Sequence, residues 1–271
     1  MAPLDNLPPG TLRILQITDT HLYAGPDGTL LGLNTLASFT DVMHQALSEA
    51  GKVDLILATG DLVHDASPEG YQVAADMFSG VGCPVYCIPG NHDIPKVMEK
   101  HVVRGKVSTP FAARHGNWLL VMMNSILLKS EGGHFTLDEL KRLRQVLNEN
   151  RDAHVMICMH HQPVPVGSAW MDSMQVDNAG KFFQVIDKFD NIRCLLWGHV
   201  HQTFDAERNG VRLLATPSTC IQFTPCQDNF GIDNVPPGYR WIGLLPDGRI
   251  ETGVKRLPAV PPGIDFGSFG Y

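Results

Sequence analysis

Pro84-Val85-Tyr86-Cys87-Ile88-Pro89-Gly90-Asn91-His92-Asp93 is the stretch whose reading decides the fold. A short apolar run, of the kind a buried strand needs, ends in Pro-Gly and at once presents an amide, an imidazole and a carboxylate. Four other apolar runs end the same way. Residues 12–17 lead into Thr18-Asp19-Thr20-His21, and residues 53–58 into Thr59-Gly60-Asp61. Residues 155–159 lead into His160-His161, and residues 192–197 into Gly198-His199-Val200-His201. Polar ligands at the carboxyl ends of strands occupy the place where open α/β sheets build their sites. The residue types are those of a metal site.

The segments between these runs read as helices. Asn34 is an N-cap for a helix with apolar positions Leu36, Phe39, Met43, Ala46 and Leu47 at helical spacing, ended by Gly51. Ser67-Pro68-Glu69 opens a second helix with a cap and a first-turn proline. Thr136 caps a third, through residue 148, with Glu139 completing a capping box. A fourth spans residues 177–189. Strands are expected at 13–18, 53–58, 118–124, 155–159 and 192–197. The pattern then turns antiparallel. Asn209-Gly210 joins residues 203–208 to 211–216, and Pro246-Asp247-Gly248 joins 240–245 to 249–255. The fold class is α/β, with two packed sheets flanked by helices. Residues 1–257 form one domain, residues 1–12 a flexible lead-in, and residues 258–271 a tail rich in Pro, Gly and aromatics.

Composition narrows the function. The chain has 271 residues, 44% of them hydrophobic, and a net charge of −7 with no Lys/Arg block. A nucleic-acid backbone binder is therefore not expected. The longest apolar run, around residues 118–123, is far short of a membrane span, and the N-terminus has no apolar core of a secretory signal. Cys83, Cys87, Cys158, Cys194, Cys220 and Cys226 include no C-x-x-C pair, and several sit inside apolar runs. Reduced thiols in a cytoplasmic protein follow.

The ligand chemistry can be read further. In Asp19-x-His21 and His199-x-His201, alternate residues of an extended segment share a face, so each pair can reach one ion. Asp61 follows Gly60, whose missing side chain permits close backbone approach, and a lone carboxylate between two clusters suits a bridge. Asn91 adds a neutral oxygen and His160 another imidazole. No thiolate belongs to the set. Such mixed ligation suits iron or manganese, with magnesium or zinc as alternatives. Two divalent ions about 3.5–4 Å apart clamp a phosphate and lower the pKa of a shared water. His92, beside Asn91, is placed to protonate a leaving oxygen or to steady the developing charge. His64 and His161 are expected to support the site; His44, His101, His115, His134 and His154 are expected to be solvated or packed.

In this order, Asp19-x-His21, Gly60-Asp61, Gly90-Asn91-His92-Asp93, His160 and Gly198-His199-x-His201 resemble the calcineurin-like metallophosphoesterase superfamily. The resemblance implies a four-layer αββα sandwich. It implies one metal held by Asp19, His21, Asp61 and His201, and a second by Asp61, Asn91, His160 and His199. Catalysis would fall to His92, Asn91 and Asp61, and phosphate contact to His21, Asp61, Asn91, His92 and His201. The phosphoprotein phosphatases carry Arg after Gly-Asp and Glu after Asn-His; Leu62-Val63-His64-Asp65 and Asp93 disfavour that branch. The lipid A pathway pyrophosphohydrolases have Arg where His92 stands. Residues 160–172 and 213–223 are instead similar to the bacterial 3′,5′-cyclic-AMP phosphodiesterases of class III, with Gln162 the one departure noticed. That resemblance implies hydrolysis of cyclic AMP to 5′-AMP by a metal-bridging hydroxide, and a small cyclic nucleotide as partner rather than nucleic acid or membrane. It leaves monomer and homodimer open. Phe223, Trp170 or another aromatic is expected to stack on the base, from residue type and sequence neighbourhood alone. A broad-specificity or glycerophosphodiester enzyme, and a metal-free binding scaffold of the same fold, are the competing readings.

Overall fold

Strand Leu12–Ile17 lies between Gly238–Leu244, its antiparallel neighbour, and Leu55–Thr59, its parallel one. The sheet continues in parallel through Val85–Ile88 to Val107–Ser108 and closes on the other side with Ile250–Arg256, six strands in all. A second six-stranded sheet runs in the order Phe204–Arg208, Val211–Ala215, Ile192–Trp197, His154–Cys158, Trp118–Met122, Ala112–His115. Its four central strands are parallel and its edges antiparallel. This computed structural model describes residues 2–270; Met1 and Tyr271, at the ends of the lead-in and tail, lie outside the described residues.

The continuous apolar runs are continuous because both faces of each strand are buried. Ile14, Leu55 and Leu57 face Leu120, Met156 and Leu196 between the sheets. Their alternate neighbours Leu15, Ile56 and Ala58 pack under helices Thr35–Glu49 and Pro68–Ser79. On the far side Val155, Ile157 and Leu195 meet Leu140, Leu143 and Phe182 of helices Leu137–Glu149 and Ala179–Ile186. Helix, sheet, sheet, helix: the four layers follow from period-two burial in both sheets.

Local chemistry sets the element ends. Asn34 Oδ1 accepts from Ala37 N at 2.8 Å, and Ser67 Oγ from Gly70 N at 3.1 Å. Asn209 and Gly210 both take positive φ, as the two-residue hairpin requires.

Four expectations need correction. The lead-in is packed: Leu4 and Leu7 are buried under the first sheet, and Leu4 N donates to Ala50 O at 3.0 Å. The helix expected at 177–189 is shorter, Ala179–Ile186. Thr136 does cap its helix, accepting from Glu139 N, but the Glu139 carboxylate accepts from Asn124 N at 2.8 Å, so the box stays open and the helix instead anchors the loop after Trp118–Met122. Val211–Ala215 is antiparallel to its hairpin mate yet parallel to Ile192–Trp197, so the sequence beyond residue 201 is not uniformly antiparallel.

Candidate metal centre

The carboxyl ends of the parallel strands of both sheets meet at one edge of the sandwich. Buried Gln16 ties them, its amide donating to Thr59 Oγ1 (2.9 Å) in its own sheet and to the Trp197 carbonyl (3.0 Å) in the other. Beyond this tie the five loops interlock. Asp19 N donates to Gly60 O, His21 N to Asp61 O, and Gly198 N to His160 O. His199 N donates to both carboxylate oxygens of Asp19, at 3.0 and 3.1 Å. Asp19, His21, Asp61, His160, His199 and His201 are buried; Asn91 and His92 are half-buried.

Pairing of Asp19 with His21 and of His199 with His201 does not come from extended backbone. Asp19 (φ 54°), His21 (φ 45°), Asp61 (φ 50°), His199 (φ 63°) and His201 (φ 47°) all lie in the left-handed region. Non-glycine residues there cost about 1–3 kcal/mol each and cluster at functional sites. The crossed loop hydrogen bonds hold these tight turns and aim all five side chains at one point. Close approach also needs glycine: a Cβ at Gly60 would meet the His160 ring and Gly90 N, and one at Gly90 would meet the Asp61 carboxylate.

Asp61 occupies the centre. Its Oδ1 accepts from His92 N at 2.9 Å. Its Oδ2 is buried with no hydrogen bond, while Nε2 of His160 approaches at 3.3 Å and Nε2 of His21 at 3.7 Å from another side. Nε2 of His201 lies 3.3 Å from that of His21 and 3.4 Å from Asp19 Oδ1. Asn91 Oδ1 lies 3.1 Å from His160 Nε2. His160 Nδ1 donates to Thr59 O (2.8 Å) and His201 Nδ1 to Ile221 O (2.9 Å), which turns both Nε2 atoms inward. His199 has both ring nitrogens buried and unpartnered. Imidazole nitrogens and carboxylate oxygens that converge this closely, with both His199 nitrogens buried and unpartnered among them, are a donor set that cations satisfy, so the residues fit metal ions.

Charge supports the fit. Burial opposes ionisation of Asp61, but the imidazoles of His160, His92 and His21 outweigh it and hold that carboxyl well below its usual range. Burial likewise opposes charge on His160 and His201, yet Asp61 pushes the first up to about 9 and Asp19 the second up to about 10. His21 and His199 are held well below the ordinary imidazole value by burial. Without metal, the buried carboxylates are thus balanced by protons on two imidazoles, which metal binding would displace.

Supporting residues surround this set. His161 is engaged at both nitrogens, by Ser125 Oγ (2.8 Å) and the Glu131 carbonyl (3.1 Å), and its ring packs 4.6 Å from that of His199. His64 Nδ1 sits 3.2 Å from His21 Nδ1, and its ring stacks on His92 at 4.5 Å. Burial pushes His161 down to about 3 and His64 down to about 4, so both are neutral near pH 7.

Several contributors are not among the expected site residues. Asp93 Oδ atoms accept from Leu62 N, Val63 N, Gly90 N and the Tyr71 hydroxyl, joining the Asp61 and Asn91 loops. Ser218 Oγ donates to Asp19 O at 2.7 Å. Cys220 Sγ lies within 4.8 Å of ligand atoms of His21 and His201, so a sulfur does border a site read as thiol-free. Phe223, assigned to a base, is buried and stacked flat on His201, 4.2 Å between centroids, and has no face to offer one. Trp170 instead lines a cavity of about 280 Å³ that opens on Asn91, His92 and His199.

A family profile described as Calcineurin-like phosphoesterase matches residues 12–203. The chain is similar to the 3′,5′-cyclic adenosine monophosphate phosphodiesterase CpdA of Pseudomonas aeruginosa, 36% identical with 96% of each chain covered. It is 38% identical to the protein of the same name from Escherichia coli strain K12, covering 96% of this chain and 95% of that one. A dimetal phosphatase from Danio rerio, 14% identical, shares the fold with a TM-score of 0.60, covering 90% of this chain and 98% of that one. Among the described residues, no helix is long and apolar enough to cross a membrane.

Proposed function

The chain belongs to the calcineurin-like phosphoesterase family, a family of dinuclear metal enzymes, and on that premise we propose that it opens 3′,5′-cyclic AMP to 5′-AMP. The observation that carries the proposal is Asp61 Oδ2: a buried carboxylate oxygen with no hydrogen bond, between the His21 and His160 rings. Asp19, His21, Asp61 and His201 would hold one ion. Asp61, Asn91, His160 and His199 would hold the other, with iron or manganese favoured by ligand type over magnesium or zinc. Such ions, when bound, neutralise phosphate charge and lower the pKa of water.

The protein's own groups set the direction of the reaction. Asn91 and His92 stand at the mouth of the cavity, on the loop that Asp61 Oδ1 and Asp93 fasten. His92 Nδ1 lies 3.2 Å from the His64 carbonyl and donates to it, so a proton offered to the substrate comes from Nε2. The oxygen of water joins phosphorus as its proton passes to solvent, the bond from phosphorus to O3′ breaks, and O3′ takes a proton from His92 Nε2, which a proton from solvent then replaces. Neutral His64 cannot be that donor. This activity would lower a cytoplasmic cyclic AMP signal.

The test is a panel of esters offered to metal-reconstituted protein: cyclic AMP, cyclic GMP, a 2′,3′-cyclic nucleotide and glycerophosphodiesters. The expected result is the highest kcat/KM for cyclic AMP. Equal rates across the panel would move the activity to general phosphodiester hydrolysis. No turnover with any metal would overturn the enzyme reading.

A further inference from the structure

The cavity beside the metal centre has two chemically distinct ends. Asn91, His92 and His199 form one; Trp170, Met174 and Phe230 form the other, with the Trp170 and Phe230 rings edge-to-face at 5.2 Å. An anion at the first end and a flat aromatic group at the second describe a nucleotide. Glu131 and Ser173 line it as well, and one more lining residue comes from far along the chain: Gly270, in the tail.

The tail reaches it along a defined path. At Gly32 and Gly263, both with positive φ, the two backbones touch, and a Cβ at either would strike the other's carbonyl. Ile264 packs against the second-sheet core, and Asp265 N donates to Leu31 O at 2.9 Å. Asp265 then turns the chain: Oδ1 accepts from Gly267 N and Oδ2 from Ser268 Oγ, each at 3.0 Å. Past this turn, burial does not hold the tail, since Phe266 is 45% and Phe269 96% exposed. A segment that is pinned, turned by its own aspartate and delivered to the cavity without joining the core is built for the cavity.

We infer that residues 265–270 form the nucleoside wall of the substrate site, closing it opposite Trp170 and Phe230 and setting the preference for a nucleotide over smaller phosphodiesters. The inference rests on the nucleotide reading above. Two variants test it, a chain ending at Phe266, which keeps the Ile264 and Asp265 anchors, and Asp265→Ala, which removes only the turn. Each is assayed with cyclic AMP and with bis(p-nitrophenyl) phosphate, and the Ki of 5′-AMP is measured against the aryl ester. The expected result is a rise in KM for cyclic AMP and in Ki for 5′-AMP of about tenfold, the loss of one contact face worth ~1.4 kcal/mol, in the shortened chain. The rise in Asp265→Ala should be smaller, and aryl-ester kcat should stay within about twofold in both. Unchanged nucleotide constants would overturn the wall. So would a parallel fall on both substrates, which marks a structural tail. Should the intact chain fail to turn over cyclic AMP, the cyclic-nucleotide reading falls, while the Ki of 5′-AMP still decides the wall; no inhibition by 5′-AMP in the intact chain overturns it.

Discussion

An Asp61→Asn chain is expected to purify with at most one firmly held ion and to lose roughly 10³-fold or more in kcat/KM, the scale of removing a preorganised charge from a dry site. The reason lies in what each oxygen does. Oδ1 accepts from His92 N, and the asparagine oxygen can do the same. Oδ2 has no hydrogen bond and faces the imidazoles of His21 and His160, so replacing it with NH2 puts a donor where two ions need a shared anion. Folding should survive, because the substitution is isosteric and keeps the hydrogen bond that Oδ1 accepts from His92 N. The same change takes away the charge that pushes His160 up to about 9, so His160 should titrate lower in the metal-free variant. Elemental analysis beside thermal denaturation separates a metal-site defect from misfolding. Two ions per chain with near-normal turnover would remove Asp61 from the centre.

His92→Ala is the second large effect, with kcat on cyclic AMP expected to fall about 10²- to 10⁴-fold as a general acid is lost. Metal content should not change, since His92 contributes no atom to either proposed ion. The leaving group supplies the control: O3′ of ribose needs a proton as it departs, whereas p-nitrophenolate does not. The loss on bis(p-nitrophenyl) phosphate should therefore be much smaller. Equal losses on both esters would make His92 a positioning residue, and near-normal turnover of cyclic AMP would end its role altogether.

Much of this architecture was legible because it is local. Asn34 and Ser67 cap helices with their own side chains, and Asn209-Gly210 turns a hairpin by its own φ preferences. The runs through Ile56 and Ile157 are apolar at every position because each faces a core on both sides. The seven positions expected to hold metal are polar residues at strand ends, and the structure gathers them at one edge. The reason given for their pairing was wrong. Asp19 and His21 converge through left-handed turns, which sequence alternation does not report and which the crossed hydrogen bonds to Gly60 and Asp61 impose.

What could not be read depends on contacts remote in sequence. Leu4 is held in the core by a hydrogen bond to the Ala50 carbonyl at the end of helix Thr35–Glu49, and Glu139 leaves its helix cap because Asn124 lies nearby. Phe223 looked like an aromatic beside a site until His201 was found stacked on it. Asp93 and Tyr71, 22 positions apart, hold the Asn91 loop, yet neither belongs to a spacing that announces a partner. The tail reads as a Pro- and Gly-rich end, and its meaning rests on Gly32 and Leu31.

The most direct measurement is the hydrolysis of cyclic AMP by metal-reconstituted protein in oxygen-18 water, with product and label position read by mass spectrometry. The expected product is 5′-AMP carrying one heavy oxygen on phosphorus, formed only with metal, abolished by a chelator and restored when metal is returned. Formation of 3′-AMP, label on the ribose, or turnover indifferent to chelation would contradict metal-dependent attack of water on phosphorus.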